Sequence, residues 1–220
     1  MRVAATAPVI SSAVAPAPPR SAAEIREVSE IVDYAGWGVD EEQRGIRAAL
    51  GSPRTVSDIR TILDAADSTG WSGRAELELF EHGLYASRSS GDVGRIIEAV
   101  DSFGWSPDVE LGAAHVALDA VHRSPSQVEA VVSATDATGW NAEGERELFE
   151  FGLRTMRPAE QFGAIVETVD NFGWSPALES AAMHAAVESH RSPSEVDTIG
   201  VAVDSTGWSA ELEAGTFTGL

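Results

Sequence analysis

The stretch SPSQVEAVVSATDATGWNAEGERELFEFGL, Ser124 to Leu153, reads as two helices joined by one turn. Ser124 with Gln127 three residues later is a helix-start signal: the short side chain caps a backbone N–H and the amide reaches back. Gly139 closes that first helix, because glycine takes the left-handed position just past a helix end, and Trp140 packs back on the last turn. Asn141 caps the second helix, which carries Glu147, Leu148, Phe149 and Glu150. The unit recurs. All six tryptophans, Trp37, Trp71, Trp105, Trp140, Trp174 and Trp208, lie 34, 34, 35, 34 and 34 residues apart, and each follows a glycine. A fixed period of this length marks an array of one small unit. Such arrays present surfaces for binding and seldom build active sites.

The same signals open and close the other copies. First helices begin at Ser21 with Glu24, Thr55 with Asp58, Ser89 with Asp92, and Ser192 with Glu195; the fifth copy departs, with Pro158 and Gln161. Apolar residues then recur at helical spacing, as in Val93, Ile96, Ile97, Val100 and Phe103, or Phe162, Ile165, Val166, Val169 and Phe172. Second helices start at Ser72, Ser106, Asn141, Ser175 and Ser209, with Pro107 and Pro176 preset for the first helical position. The expected fold is all-α: a right-handed α-solenoid of six two-helix repeats over residues 21–220, divided as 21–54, 55–88, 89–123, 124–157, 158–191 and 192–220.

A longer period lies over the first. The second helices after Trp71 and Trp140 carry Glu-Leu-Phe-Glu-x-Gly-Leu, whereas those after Trp105 and Trp174 are rich in alanine. The duplication unit is therefore about 69 residues. Small residues let helix axes approach closely. Each repeat also places an aspartate four residues before its tryptophan: Asp33, Asp67, Asp101, Asp136, Asp170 and Asp204. That is the last turn of a helix, where the dipole disfavours a carboxylate by about 0.3–1 kcal/mol. A compensating contact is expected, the aspartate accepting an indole N–H or a backbone N–H of a neighbouring helix.

Composition narrows the function. The chain has 35 acidic residues against 15 basic ones, a net charge of −20, and every basic residue is arginine. An excess of negative charge repels phosphate backbones and anionic lipid, so nucleic acid is disfavoured as a partner and no membrane contact is expected. Cysteine is absent, which removes disulfides and thiolate metal sites. There is no Gly-rich phosphate loop, nucleophile elbow or His-Glu-x-x-His spacing, so neither catalysis nor a metal or cofactor is expected. Residues 1–20 contain no carboxylate and four prolines, reading as a disordered leader compatible in composition with organelle import or export.

Three features are candidates for function. Glu143, Glu147 and Glu150 fall on one helix face, flanked by Glu145, and Glu78 and Glu81 repeat part of the stripe. Like charges at that spacing repel slightly, and a protein or basic peptide would relieve them. His115 and His184 share one repeat position, as roughly do His122 and His190; structural histidines are expected there. The sixth repeat stops at Leu220, partway along its second helix, so exposure of Phe217 and self-association through this C-terminal repeat are expected.

The 34-residue helix-turn-helix unit resembles the tetratricopeptide and pentatricopeptide class. Residues Val132 to Trp140, with their Ala-x-x-x-x-Gly turn, followed by Leu148-Phe149-Glu150, are closer to pentatricopeptide repeats. That resemblance implies an RNA-binding array in which a polar residue early in each first helix selects a base. The matching positions are Arg26, Arg60, Gly94, Glu129, Gly163 and Asp197, which depart from the usual Asn, Ser or Thr. The reading is therefore a non-catalytic repeat scaffold that binds protein through an acidic helical surface. The alternatives are a degenerate pentatricopeptide-like RNA-binding protein of an organelle, or a bacterial effector delivered into a host cell.

Overall fold

A computed structural model describes residues 19–219. The described chain is a run of helices in two parallel rows. The A row consists of α1 (Ala22–Tyr34), α3 (Val56–Asp67), α5 (Ser90–Asp101), α7 (Pro125–Asp136), α9 (Ala159–Asp170) and α11 (Pro193–Asp204). The B row consists of α2 (Val39–Gly51), α4 (Gly73–Tyr85), α6 (Pro107–Asp119), α8 (Ala142–Arg154), α10 (Pro176–Glu188) and α12 (Ala210–Phe217). Each A helix packs on its own B helix and on the A helix of the next repeat, and B helices stack likewise. This is an all-α solenoid of six two-helix repeats. The leader expected over residues 1–20 lies outside the described residues except for Pro19 and Arg20, and Arg20 belongs structurally to the first repeat.

The turn from A to B is the same in every copy. The glycine before each tryptophan has φ between 61° and 67°, the left-handed region in which a Cβ is strained. Its N–H donates to the carbonyl of the aspartate three residues earlier, at 3.3 Å for Gly36 on Asp33 and 3.4 Å for Gly104 on Asp101. The helix starts follow the predicted chemistry. Reciprocal capping boxes form at Ser21, Thr55, Ser124 and Ser192, whereas Ser89 caps without the return bond and Pro158 has no side chain to offer.

Because each repeat has only two layers, its apolar face is buried by its neighbours rather than by itself. Val28, Ile62, Ile96, Val131 and Ile165 take the same position in successive A helices and are fully buried, part of one core running along the solenoid. The expected exposure of Phe217 is not found. Phe217 is fully buried, its ring 5.7 Å from Phe172 and 6.2 Å from Trp174, because α12 is long enough to carry it under the fifth repeat.

Candidate functional site

The tryptophans are more than staples within a repeat. Four of the six indoles cross to the next repeat and donate their Nε1–H to a buried glutamate on the following B helix. Trp37 donates to Glu76 at 2.8 Å, Trp105 to Glu145 at 2.7 Å, Trp140 to Glu179 at 3.0 Å and Trp174 to Glu213 at 3.2 Å. The Trp71 indole lies against both Asp101 and Glu110. Aspartate as the general indole acceptor is therefore corrected: glutamate takes that role, and the aspartate stands beside it. Asp67, Asp101, Asp136 and Asp170 act on Glu76, Glu110, Glu145 and Glu179 respectively as a like charge. Burial, and then this neighbouring charge, raises those four glutamates above the usual carboxylate range, while the indole bond pulls the other way. Burial also raises Asp101 and Asp170. Glu145, expected to flank the surface stripe, is instead one of these interior acceptors, only 6 % exposed.

A second periodic element ties the opposite ends of the helices together. Arg20, Arg54, Arg88, Arg123 and Arg157 each precede an A helix and aim the guanidinium at the carbonyls that end the B helix of the same repeat. Arg123 donates to Gly152 O at 2.9 Å, Leu153 O at 3.3 Å, Thr155 O at 2.6 Å and Arg157 O at 2.8 Å. Arg88 makes the same set with Ala117, Leu118, Ala120 and Arg123. These are the orphan carbonyls of a helix C-terminus, and a cation there also meets the favourable end of the dipole. Burial lowers the pKa of Arg88 and Arg123. Arg191 occupies the sixth such position, is exposed, and donates to no carbonyl among the described residues.

Both elements were missed, although each carries a sequence signal. A glutamate lies five residues after every tryptophan, at 42, 76, 110, 145, 179 and 213, and an arginine seventeen before, at 20, 54, 88, 123, 157 and 191.

The ladder consumes cations, and this shapes the surface. Of the stripe expected to bind a partner, Glu78, Glu143 and Glu147 are exposed. Glu81 is engaged by Arg44, and Glu150 accepts from Arg146 at 3.0 Å and Arg154 at 2.6 Å. The stripe is thus partly neutralised from within. On the A row, Asp64, Glu98 and Glu167 share one outward repeat position, are exposed, and meet no cation among the described residues. Exposed Asp67, Asp136 and Asp204 flank that row. A groove of about 480 Å³ between α9 and α11 has Phe172 and Val201 in its wall and Glu167, Asp197 and Asp204 around it.

The histidines do not meet their counterparts one duplication unit away. His115 stacks on His82 of the preceding B helix at 4.2 Å, and His184 stacks on Phe151 at 3.9 Å. His82 also approaches Asp119 at 3.2 Å. Burial, then His82, lowers the pKa of His115. Of the positions matching base-reading sites, Arg60 pairs with Glu27 at 3.8 Å and Glu129 with Arg95 at 2.7 Å.

Comparison with protein families, curated proteins and solved structures found no match to this chain. No helix among the described residues is long and apolar enough to cross a membrane.

Proposed function

We propose that the chain is a non-catalytic scaffold that holds a basic protein segment along its acidic helical surface. The observation that carries this reading is the set of exposed carboxylates at Asp64, Glu98 and Glu167, which take one position in the second, third and fifth repeats and have no internal counter-ions among the described residues. Exposed Glu78, Glu143 and Glu147 extend the negative surface on the B row. An extended peptide with arginine or lysine at intervals matches such a row, each aliphatic stem lying in a groove between A helices and each charge meeting a rim carboxylate. The pentatricopeptide-like reading, an RNA-binding array, is the second reading. It rests on the helix-pair shape, and paired Arg60 and Glu129 speak against it. The effector reading rests on the leader and on the absence of lysine, and an organellar or exported location rests on the leader, of which only Pro19 and Arg20 are described.

The test is fluorescence anisotropy with a labelled arginine-rich peptide, run against single-stranded RNA as a parallel probe. Salt should weaken peptide binding steeply, since exposed charges are screened over about 8 Å at physiological ionic strength. The triple change Asp64→Asn, Glu98→Gln and Glu167→Gln should abolish most of the binding, with Glu143→Gln and Glu147→Gln having a smaller effect. Peptide binding that ignores the triple change would refute the proposal, and RNA binding in its place would promote the second reading.

A further inference from the structure

The two ends of the array display opposite halves of the junction that the chain closes repeatedly within itself. On the first repeat, Ile25 takes the position of Ile59, Val93, Val128, Phe162 and Val196, which are all fully buried, yet it is 43 % exposed. Val39 takes the position of Gly73, which lies so close to the Trp37 ring that an added Cβ would come within 3.2 Å and the ring would have to shift, and Val39 is 68 % exposed. Glu42 takes the position of the interior acceptors Glu76, Glu145, Glu179 and Glu213, and no indole reaches it among the described residues. On the sixth repeat the matching donor is bare. Trp208 is 54 % exposed, against 7 % for Trp37 and 9 % for Trp174. Leu212 is 61 % exposed where its counterpart Ala75 is 7 %.

We propose that a second copy of this chain docks its α1–α2 face on the α11–α12 face of the first. The indole Nε1–H of Trp208 then donates to the Glu42 carboxylate of the second copy, and Val39 of that copy lies against the ring. One face supplies an apolar patch with a donor and the other an apolar patch with an acceptor at the positions that meet within the chain, with the exposed Trp208 ring shifting outward to accept Val39 in place of a glycine. The contact continues the stacking between neighbouring repeats within the chain, with the second copy's first repeat standing as a seventh. Because the two faces differ, the contact is heterologous: each pair retains one free face of each kind, so further copies add until a ring closes or the array extends. The charge of −20 on each chain opposes the approach, so added salt should promote association.

Light scattering after size exclusion, on the full chain over a range of concentration and salt, tests this. The wild type should rise above the single-chain mass of 23.2 kDa with concentration. Trp208→Ala and Glu42→Arg should each hold the chain at that mass, with unchanged helical circular dichroism because Trp208 is largely exposed and Glu42 only partly buried. An equimolar mixture of the two variants should reach twice that mass and stop, since the first retains a sound α1–α2 face and the second a sound α11–α12 face. If Trp208→Ala perturbs folding, Leu212→Glu takes its place in the mixture. A wild type at single-chain mass throughout, association indifferent to both substitutions, or a mixture that stays monomeric would each overturn the proposal.

Discussion

Replacing Arg123 by methionine separates the carbonyl ladder from mere surface charge. Arg123 is 3 % exposed and reaches four carbonyls at the exit of α8 and the entry of α9. A hydrogen bond from a charged group contributes about 1.5–3 kcal/mol, but four from one side chain do not add, and burying the guanidinium offsets much of the gain. What decides the outcome is the pair of carbonyls left without a donor, Thr155 O and Arg157 O, each at about 1–3 kcal/mol and partly reached by water once the arginine has gone, whereas Gly152 O keeps the Thr155 hydroxyl at 3.1 Å and Leu153 O keeps His122 Nε2 at 2.9 Å. A net loss of about 3–5 kcal/mol follows. For a chain of this size that corresponds to a fall of roughly 10 °C in Tm. Arg191→Met is the internal control, because that guanidinium is exposed and donates to no carbonyl among the described residues; it should stay within about 0.5 kcal/mol of wild type. Urea and thermal unfolding followed by far-ultraviolet circular dichroism read both, using transition midpoints because a repeat array need not unfold in one step. Equal midpoints for the two variants would refute the ladder as a source of stability.

Three further outcomes follow from the junctions. Burial raises the carboxyl of Glu145 in the folded state, so its contribution to stability is present at low pH and is lost as pH rises through the raised value. Glu145→Gln, which keeps an acceptor for Trp105, should therefore gain on wild type as pH rises from the ordinary carboxylate range through the raised value in pH-dependent melts; parallel curves would show that the carboxylate is not strained. Gly139→Ala should lose about 1–2 kcal/mol, because φ is 61° and no atom lies within 4 Å of the added methyl, leaving backbone strain as the whole effect; an unchanged urea midpoint would contradict this. His82→Phe copies the Phe151–His184 stack onto His115 and removes a neighbouring charge that lowers its pKa. NMR titration of His115 should then show a higher pKa than in wild type, and a lower one would reject the coupling.

The parts of the fold that depend on neighbours in sequence were legible. Ser-x-x-Glu boxes, Gly-Trp turns and the apolar spacing of residues such as Val93 and Ile96 each act within one or two turns of helix, so their chemistry is written locally. The indole acceptor was misassigned because it lies 39 or 40 residues away, in the next repeat. Which of two acids faces the indole is decided by how far one repeat turns on the next, which no single repeat encodes. Glu145 looked like a surface charge because it stands among Glu143 and Glu147 on one helix, although only those two point to solvent. The arginine ladder was harder still: its acceptors are backbone carbonyls, which every residue possesses, and only the recurrence of the donor betrays it.

That ladder also has a mechanical meaning. Arg20 donates to the carbonyl of Arg54, Arg88 to that of Arg123, Arg123 to that of Arg157, and Arg157 to that of Arg191. A near-continuous seam of charged bonds thus runs along the edge where B helices hand over to A helices. The opposite edge, at the Gly-Trp turns, is joined between repeats by single indole–carboxylate bonds, and burial raises the carboxyls of Glu76, Glu145 and Glu179 among their acceptors. Such a rod flexes unequally. It resists stretching along the seam and opens first at the tryptophan edge, and it opens more easily as pH rises through the raised values of Glu76, Glu110, Glu145 and Glu179.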